Sequence, residues 1–506
     1  MKILSASQIR ELDAFTIQHE PIASIDLMER AASAFCLWFA SKFPDRNRKI
    51  HIFCGPGNNG GDGLAIARLL GKDFYDPHVY LIQISPNISA DAAENLRRLN
   101  QFEGARKVIQ IAEGEVFPTV EEGSIVIDAI FGSGLNKPLP PYLAGHISDL
   151  NQHPVTKIAV DIPSGLFADQ PTEGISFHAE WTFSFEMPKR AFFYPENQHR
   201  VGEWVIGSIG LHPSFLEKAS TPFFVLDEKM VKPLLHVRHR YDHKGIFGHA
   251  LIVAGSYGKI GAAVLAARSC LRSGAGLVTV HAPKCGYEIL QISIPEAMVS
   301  VDEHQFAVTC FHENLSKYKA VGIGCGIGTN EMTACALKEI LEQLAVPVVL
   351  DADALNLLAG HPDFFRLLPN QSILTPHLRE FERMFGPSAN DFERNDLQLQ
   401  KAQELGVFIL LKGANTAIAT PDGQCFFNTT GNPGMATGGS GDVLTGILTG
   451  LLAQGYSPLD ACRLGVYLHG LAGDFAMKDL QQEALLAGDI TEHLGKAFKH
   501  LKNLPG

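Results

Sequence analysis

A glycine-rich segment ending in a carboxylate, residues 432–446, carries the clearest chemistry in the sequence. Four glycines and a serine lead into Asp442, and apolar residues then recur at helical spacing. The unpaired N–H groups of a helix N-terminus bind anions well, and glycines let the backbone approach a phosphate closely. A carboxylate in the same turn would repel that phosphate unless it takes part in the reaction. The segment therefore indicates a phosphoryl group beside a general base, and Asp442 is the candidate base.

A second glycine-rich loop, residues 55–63, follows a strand-like run and opens a helical one. It contains the G-x-G-x-x-G spacing of dinucleotide-binding folds. Two features weaken the interpretation as an ordinary dehydrogenase. The next strand ends in Ser85-Pro86-Asn87 and not in a ribose-binding acid, and Asp62 puts a charge inside the loop. A dinucleotide site and a purely structural turn therefore both stay open on these residues alone.

Oxygen-bearing side chains follow three strand-like runs in the first half. Asn59, Asp128 and Ser164 stand at the carboxyl ends of these runs, where open α/β sheets build their sites. Taken singly, each is more often a turn or cap residue. Together, with no His or Cys among them, they favour an oxygen-lined site for a hard monovalent or divalent cation.

Strand-like and helical runs alternate along the whole chain, which predicts α/β architecture with mostly parallel sheets. An amphipathic stretch, residues 5–43, predicts two helices before the first strand. The strands predicted in the first half are 49–54, 78–84, 107–111, 124–130, 157–161, 179–185 and 203–209. Those predicted in the second half are 247–254, 276–281, 320–323, 346–351, 372–375 and 407–412.

The predicted domain boundary lies near residue 220, in a stretch with several prolines and weak periodicity, residues 211–240. It divides the chain into domains 1–219 and 220–506. A chain of 506 residues is too long for one core. No short internal repeat is visible, so we expect two different α/β domains and not a duplication.

The composition argues against several classes of protein, among them nucleic-acid-binding, disulfide-rich and membrane proteins. The net charge of −12 disfavours a nucleic-acid surface. Nine cysteines without a C-x-x-C pair indicate neither a disulfide framework nor a zinc site, as is usual in the reducing cytosol. The first residues lack the unbroken apolar stretch of a signal peptide, and the longest apolar run, 443–453, is too short to span a bilayer. We expect a cytoplasmic enzyme that binds neither nucleic acid nor membrane.

Three motifs resemble the NAD(P)H-hydrate epimerase domain, over roughly residues 5–215: Asn58-Asn-Gly-Gly-Asp62-Gly, Phe131-Gly-Ser-Gly-Leu and Asp161-Ile-Pro-Ser-Gly165. The resemblance implies that Asn59, Asp128 and Ser164 hold K⁺, and that Asp161 is the acid/base group for epimerisation at C6. The residues implied to bind the hydrated nicotinamide nucleotide are Asn58, Asn59, Gly60, Gly61, Asp62, Gly132, Ser133, Gly134, Leu135, Asn136, Lys137, Pro138 and Asp161.

Lys189 departs from the pattern of that family. The family usually continues the lysine of Met-Pro-Lys into a small glycine-containing turn, whereas Arg190-Ala-Phe-Phe-Tyr follows here. We therefore assign Lys189 no role from the sequence.

The second half, residues 225–502, resembles the ADP-dependent NAD(P)H-hydrate dehydratase, which has a ribokinase-like fold. An ordered set of motifs carries the resemblance: His243-Lys-Gly-Ile-Phe-Gly-His249, Ala254-Gly-Ser256, Gly261-Ala-Ala263, Gly322-Ile-Gly-Cys-Gly-Ile-Gly328, Asp351-Ala-Asp-Ala-Leu355, Leu374-Thr-Pro-His377, Lys412-Gly-Ala-Asn-Thr416 and the segment before Asp442. The implied fold is an N-terminal Rossmann-like three-layer α/β/α domain followed by a ribokinase-like α/β domain.

The chemistry of such a dehydratase fits the residues. Hydroxide is a poor leaving group, but phosphorylation of the C6 hydroxyl lets the ring nitrogen expel phosphate and restore the reduced nucleotide. By resemblance the donor is ADP, assisted by Mg²⁺, and the substrates are NADHX and NADPHX. Substrate binding is expected at Ala262, Gly326, His377 and Asp442. The AMP portion is expected at Lys412, Gly413, Ala414, Asn415, Thr416 and Gly441.

Some assignments stay open at this point. His377 either binds substrate or is structural, and Asp351 with Asp353 either orients Mg²⁺ through water or caps a helix. Related proteins form homo-oligomers, so we expect one here. The leading interpretation is a bifunctional enzyme that interconverts R and S hydrates and dehydrates the S form. The alternatives are a hydroxymethylpyrimidine- or hydroxyethylthiazole-type kinase fused to a nucleotide-binding module, and a non-enzymatic, protein-binding first half.

Overall fold

The computed structural model describes residues 1–104 and 106–504. They form two compact units, an N-terminal unit of residues 2–221 with 390–392 and a C-terminal unit of residues 222–389 and 393–504 with Met1. None of the described helices combines the length and hydropathy of a membrane span.

The N-terminal unit is an α/β sandwich around one sheet. Its strands are β1 Ile50–Cys54, β2 Pro77–Ile82, β3 Ile109–Ile111, β4 Ile125–Ala129, β5 Thr156–Val160, β6 Trp181–Phe185 and β7 Glu203–Gly207. Its helices are α1 Ala6–His19, α2 Ser24–Lys42, α3 Asn58–Lys72, α4 Ala90–Asn100, α5 Pro141–Gln152, α6 Gln198–Val201 and α7 Pro213–Lys218. All seven predicted strands are confirmed, with ends displaced by at most two residues.

The strand order of this sheet is β3-β2-β1-β4-β5-β6-β7, and every pair is parallel. Helices cover both faces, so β1 and β4 are buried along their whole length. Successive side chains of β1 enter different cores: Ile52 packs with α2 and α3, whereas Phe53 packs with α5. The chain passes from β1 outward to β3 and then returns to β4 on the other side of β1, which makes the β1/β4 gap the topological switch point.

The C-terminal unit is built around a larger sheet. Its strands are β8 Phe223–Val225, β9 His249–Val253, β10 Leu277–Ala282, β11 Met298–Val301, β12 Ala320–Ile323, β13 Val348–Leu350, β14 Ile373–Leu374, β15 Phe408–Leu411, β16 Ala417–Ala419 and β17 Cys425–Phe427. Its helices are α8 Glu228–Val231, α9 Ile260–Arg272, α10 Tyr287–Ser293, α11 Glu331–Gln343, α12 Asp353–Gly360, α13 Leu378–Phe385, α14 Asp391–Leu405, α15 Ser440–Ala453, α16 Pro458–Leu480 and α17 Ala487–Asn503.

The second sheet has the order β11-β10-β9-β12-β13-β14-β15-β16-β17-β8. It is parallel except around β16, which pairs antiparallel with both β15 and β17. Here the switch point lies between β9 and β12. The six strands predicted for this half are confirmed, whereas β8, β11, β16 and β17 were not predicted because runs of three or four residues carry little periodicity.

Helix α15, which carries Asp442, is held tightly against the sheet and against α9. A side chain at Gly446 would come within 2.1 Å of the carbonyl oxygen of Ala266 on α9. One at Gly322 of β12 would come within 2.3 Å of the Thr449 hydroxyl of α15. The glycines therefore let backbones touch, and this contact fixes the position of the α15 N-terminus.

Candidate active sites

The N-terminal unit contains a cavity of about 880 Å³ at its switch point, which we call the N-terminal cavity. The loops after β1 and β4 form one wall, and α1 and α2 form another. Of the predicted site residues, it is lined by Asn58, Asn59, Asp62, Gly132, Ser133, Gly134, Leu135 and Asp161. Asn136, Lys137 and Pro138 are exposed and are not part of the lining.

The predicted glycine loop turns directly into α3. A side chain at Gly60 would lie 1.8 Å from the carbonyl oxygen of Gly55, so the turn closes only because residue 60 has no Cβ. Gly57, just before α3, is exposed with open space around it. The first N–H groups of α3 therefore face a space that an anionic group can enter.

Asn59, Asp128 and Ser164 are brought together by a chain of hydrogen bonds. The Nδ2 of Asn59 donates to the Phe131 carbonyl oxygen (2.9 Å), and the Phe131 N–H donates to the Ser164 hydroxyl oxygen (2.8 Å). That hydroxyl and the Ser164 N–H both donate to the Asp128 carboxylate, at 2.6 and 2.7 Å. Burial raises the pKa of Asp128 to about 6, although the hydrogen bonds from Ser164 and Ile130 oppose the rise.

Asp161 ends β5 in a strained conformation. Its φ of +66° is in the left-handed region that non-glycine residues rarely adopt. One carboxylate oxygen accepts from the Ser133 N–H (3.2 Å), and the other pairs with the ammonium group of Lys189. Lys189 is 1% exposed and also donates to the Ser184 hydroxyl at 2.8 Å. This pairing could not be predicted from the sequence, because the two residues lie 28 positions apart.

Two further carboxyl groups face the same cavity. Asp13 comes from α1, and sequence reasoning missed it as a site residue. Burial and the charge of Asp161 raise its pKa to about 7, against the opposing effect of Lys189. Asp62 is affected more strongly: burial, then Asp161 and Asp13, raise its pKa well above the ordinary range. The only sequence signal for Asp13 was its position in the series Ile9-Asp13-Ile17 on one face of a predicted amphipathic helix.

The switch point of the second sheet gathers the residues predicted for the second site. The Gly255 N–H, after β9, donates to the Cys325 carbonyl oxygen, after β12, at 2.8 Å. A side chain at Gly326 would come within 3.2 Å of the Ala262 Cβ, so these two predicted site residues lie together. The absence of a side chain at residue 326 keeps this position open.

Asp442 lies in the first turn of α15, which begins after Gly439 in the left-handed conformation (φ +94°). The buried thiol of Cys325 lies near its carboxylate. Burial raises the pKa of Asp442 to about 6; the Cys325 contact and Lys412 lower it, whereas Asp351 and Asp353 raise it. His469 donates from Nε2 to the Ser440 carbonyl oxygen at 3.0 Å, and burial lowers its pKa to about 4. It therefore supports this turn as a neutral imidazole.

A buried ion pair lies directly beneath that turn. Lys412 Nζ is 2.7 Å from Asp351 Oδ1, and the Thr445 hydroxyl donates to Oδ2 at 2.9 Å. A side chain at Gly441 would come within 3.3 Å of both Lys412 Nζ and Asp351 Oδ2. Although burial opposes both changes, the pair lowers the pKa of Asp351 and raises that of Lys412. Asp353 instead accepts from the Gly328 N–H at 2.8 Å.

The predicted AMP loop is the turn between β15 and β16. Gly413 and Ala414 are exposed at its tip, and the Thr416 hydroxyl donates back to the Gly413 carbonyl oxygen at 3.3 Å. His377 pairs in parallel with Lys412 and begins α13. Its Nδ1 accepts from the N–H groups of Arg379 and Glu380, at 3.1 and 3.3 Å, which makes His377 a helix cap. Nε2 lies 3.3 Å from the Glu380 carboxylate.

Comparisons with known proteins identify the family to which each half of the chain is similar. A family model described as NAD(P)H-hydrate dehydratase matches residues 250–496, and one described as YjeF-related protein N-terminus matches residues 24–191. A bifunctional NAD(P)H-hydrate repair enzyme of Moorella thermoacetica is 36% identical over 99% of this chain and 97% of the relative. The chain belongs to the bifunctional NAD(P)H-hydrate repair enzymes.

A second member of this repair-enzyme family, from Coxiella burnetii, is 36% identical over 96% of this chain and 97% of its own. The solved structure of a ribokinase-like superfamily protein from Enterococcus faecalis V583 is 29% identical and has a TM-score of 0.50. It covers 56% of this chain and 99% of its own length. The predicted ribokinase-like fold of the second half is therefore confirmed.

The buried pair of Asp351 and Lys412 generates a stability prediction. Lys412→Met leaves the Asp351 charge buried without its counter-charge, so we expect it to lower the free energy of unfolding by about 3 kcal/mol. The matched control is Lys401→Met, which breaks an exposed pair with Glu404 and should leave the unfolding midpoint unchanged. Urea unfolding of the full chain measures both variants, and equal midpoints would contradict the stabilising role of the pair.

Proposed function

We propose that the two sites act in sequence on hydrated NADH and NADPH. Residues 1–219 would epimerise the R and S hydrates, and residues 220–506 would dehydrate the S form at the expense of ADP. The observation that supports the second step most directly is the carboxylate of Asp442 in the first turn of α15, next to the N–H groups at the start of that helix. That arrangement suits a base beside a phosphoryl group.

In the proposed dehydration, Asp442 removes the proton of the C6 hydroxyl while its oxygen attacks the β-phosphorus of ADP, and AMP leaves. The N–H groups at the start of α15 stabilise charge on the transferred group. The ring nitrogen then expels phosphate from C6, loss of a proton from C5 completes the double bond, and NADH or NADPH is restored. Ala262 and Gly326 would leave room for the nicotinamide, and His377 would contact substrate only through its exposed ring edge.

The AMP portion is proposed to lie over Gly441 and the 412–416 turn. Lys412 already neutralises Asp351 beneath Gly441, so its ammonium group lies next to the expected phosphate position. Asp351 does not fit as a direct Mg²⁺ ligand, because its oxygens accept from Lys412 and Thr445. Mg²⁺ would instead arrive on the phosphates of ADP.

In the proposed epimerisation, Asp161 is the acid/base group for the reaction at C6 of the hydrate. The first turn of α3, residues 58–62, and the loop 132–138 would hold the nucleotide, with the N–H groups of that turn facing its phosphates. The proposed K⁺ site fits the oxygen atoms of Asn59, Asp128 and Ser164, because the Asp128 carboxylate is buried without a cationic side chain bonded to it among the described residues. Bound there, K⁺ would neutralise that charge and order the two loops.

Assembly and location form a further part of the proposal. Edge strand β11 and the neighbouring α10 expose the apolar side chains of Ile289, Ile292, Met298 and Val301. Such a surface on an edge strand is commonly covered by a partner, which supports a homo-oligomer. All nine cysteines are free, which supports a reducing, cytoplasmic location.

The proposed reactions are tested with a mixture of R and S hydrates and ADP. Wild type should consume both epimers and release one phosphate and one AMP for each NADH formed. Asp442→Asn should slow dehydration by about 10²-fold or more because the base is lost, while still interconverting the epimers. A phosphorylated product that accumulates would favour the kinase alternative, and wild type that consumes neither epimer would refute the assignment.

The raised pKa of Asp442 predicts the pH dependence of dehydration. A base must be ionised, so kcat/KM for the S hydrate should be constant above about pH 7 and fall as the pH drops through about 6. The residual rate of Asp442→Asn is the control, because any titration of ADP itself persists in that variant. An acidic limb that is the same in wild type and variant would contradict the role of Asp442.

A further inference from the structure

Helix α1 contributes a carboxyl group to the N-terminal cavity. Ile9, Asp13 and Ile17 stand one helical turn apart and all three line it. Asp13 is thus the polar member of an otherwise apolar stripe that faces the proposed substrate. Within the described residues, no hydrogen bond or ion pair engages its side chain. Its free carboxyl oxygens are therefore available to a ligand in the cavity.

Asp161 faces the same cavity from the end of β5, in a contrasting environment. The Lys189 ammonium group and the Ser133 N–H both contact its carboxylate, and both stabilise the ionised form. The strained backbone of Asp161 shows that the fold holds this side chain in place against a local energetic cost. Asp161 thus has a cationic and a backbone partner, whereas Asp13 has neither among the described residues.

The remaining charges around Asp13 maintain this contrast. Asp161 raises the cost of ionising Asp13. Asp62 responds to the same charges: after burial, Asp161, Asp13 and Asp91 of α4 raise its pKa. Lys189 opposes the effect of Asp161 on Asp13, and Arg10 lies on the same helix as a further cation of the cavity lining. Asp169 accepts from the first N–H of α1. With a pKa of about 7, Asp13 can both give and take a proton near neutral pH.

We propose that Asp13 is a second catalytic acid/base group of the epimerase, paired with Asp161 across the C6 atom of the hydrate. The inference rests on the proposed epimerisation and names a residue for it. Two carboxyl groups that face one cavity with different hydrogen-bond and charge partners are a common arrangement for paired acid and base catalysis. Two positions are needed because the hydroxyl leaves one face of C6 and returns to the other.

The proposed epimerisation takes place in two steps, loss of water from C6 and addition of water to its opposite face. Protonated Asp13 delivers its proton to the C6 hydroxyl; the C6–O bond breaks, water departs and the lone pair of N1 forms a C=N⁺ bond. A water molecule then adds to the opposite face of C6 while the Asp161 carboxylate takes its proton, and the electron pair returns to N1. The proton passes back from Asp161 to Asp13 through solvent. The pair therefore carries one proton in its working state, and the reverse reaction exchanges the two roles.

The test compares Asp13→Asn, Asp13→Glu and Glu11→Gln in the full chain. Glu11 is an exposed acid on the same helix, outside the cavity lining, so its variant controls for the lost charge. We expect Asp13→Asn to lower kcat for epimerisation about 10²-fold with little change in KM, Asp13→Glu to restore part of the rate, and Glu11→Gln to match wild type. Dehydration of the S hydrate by the same preparations should be unchanged, which shows that the chain is folded.

The pH profile separates catalysis from a structural role. Wild-type epimerisation should decline above about pH 7, where the pair loses its last proton, and Asp13→Asn should lack that decline. In water labelled with heavy oxygen, the product epimer should carry the label. The inference would be overturned if the Asp13→Asn rate were within twofold of wild type or if only KM changed. It would also be overturned by a product without the label, or by an Asp13→Asn pH profile that still declined above about pH 7. Wild type that does not epimerise at all would instead refute the proposed function.

Discussion

In each unit, the chain reverses the direction in which it adds strands, and both candidate sites depend on that constraint. The reversal lies between two parallel strands, which are β1 and β4 in the first sheet and β9 and β12 in the second. The loops that follow these strands therefore leave the sheet at the same edge and diverge. A crevice is left between those loops. The polar residues at the strand ends then face it without any need to be near one another in sequence.

The two crevices differ in which buried carboxylates have a lysine partner. In the C-terminal unit, Asp351 has a lysine partner and a hydroxyl partner, and the nearby Asp442 is the carboxylate that we propose as the base. In the N-terminal unit, Lys189 compensates Asp161, whereas Asp13 and Asp62 have raised pKa values. The two units share one arrangement: one carboxylate has a lysine partner, and the pKa of another nearby carboxyl group is raised toward neutrality.

Much of this could be predicted from the sequence, because parallel strands place distant residues at one edge. The gathering of Asn59, Asp128 and Ser164, and the helix start before Asp442, are of this kind. Lys189 could not be assigned a role from the sequence, because its contact with Asp161 depends on the course of the chain after β5 and β6. Asp13 was not predicted as a site residue, because the periodicity of α1 indicates an apolar face but does not indicate that this face covers a cavity. The hairpin of β16 and β17 is too short to show a period, although it shapes the 412–416 turn.

The central claim is that one chain carries two separate catalytic sites that act in series, and complementation between inactivated chains tests it most directly. Asp161→Asn and Asp442→Asn are each incubated alone with the pure R hydrate and ADP, and then mixed. Each variant alone should form NADH far more slowly than wild type, and the mixture should restore rapid conversion because one chain supplies the S hydrate and the other dehydrates it. A mixture as slow as the slower variant, or a single variant as fast as wild type, would contradict the claim.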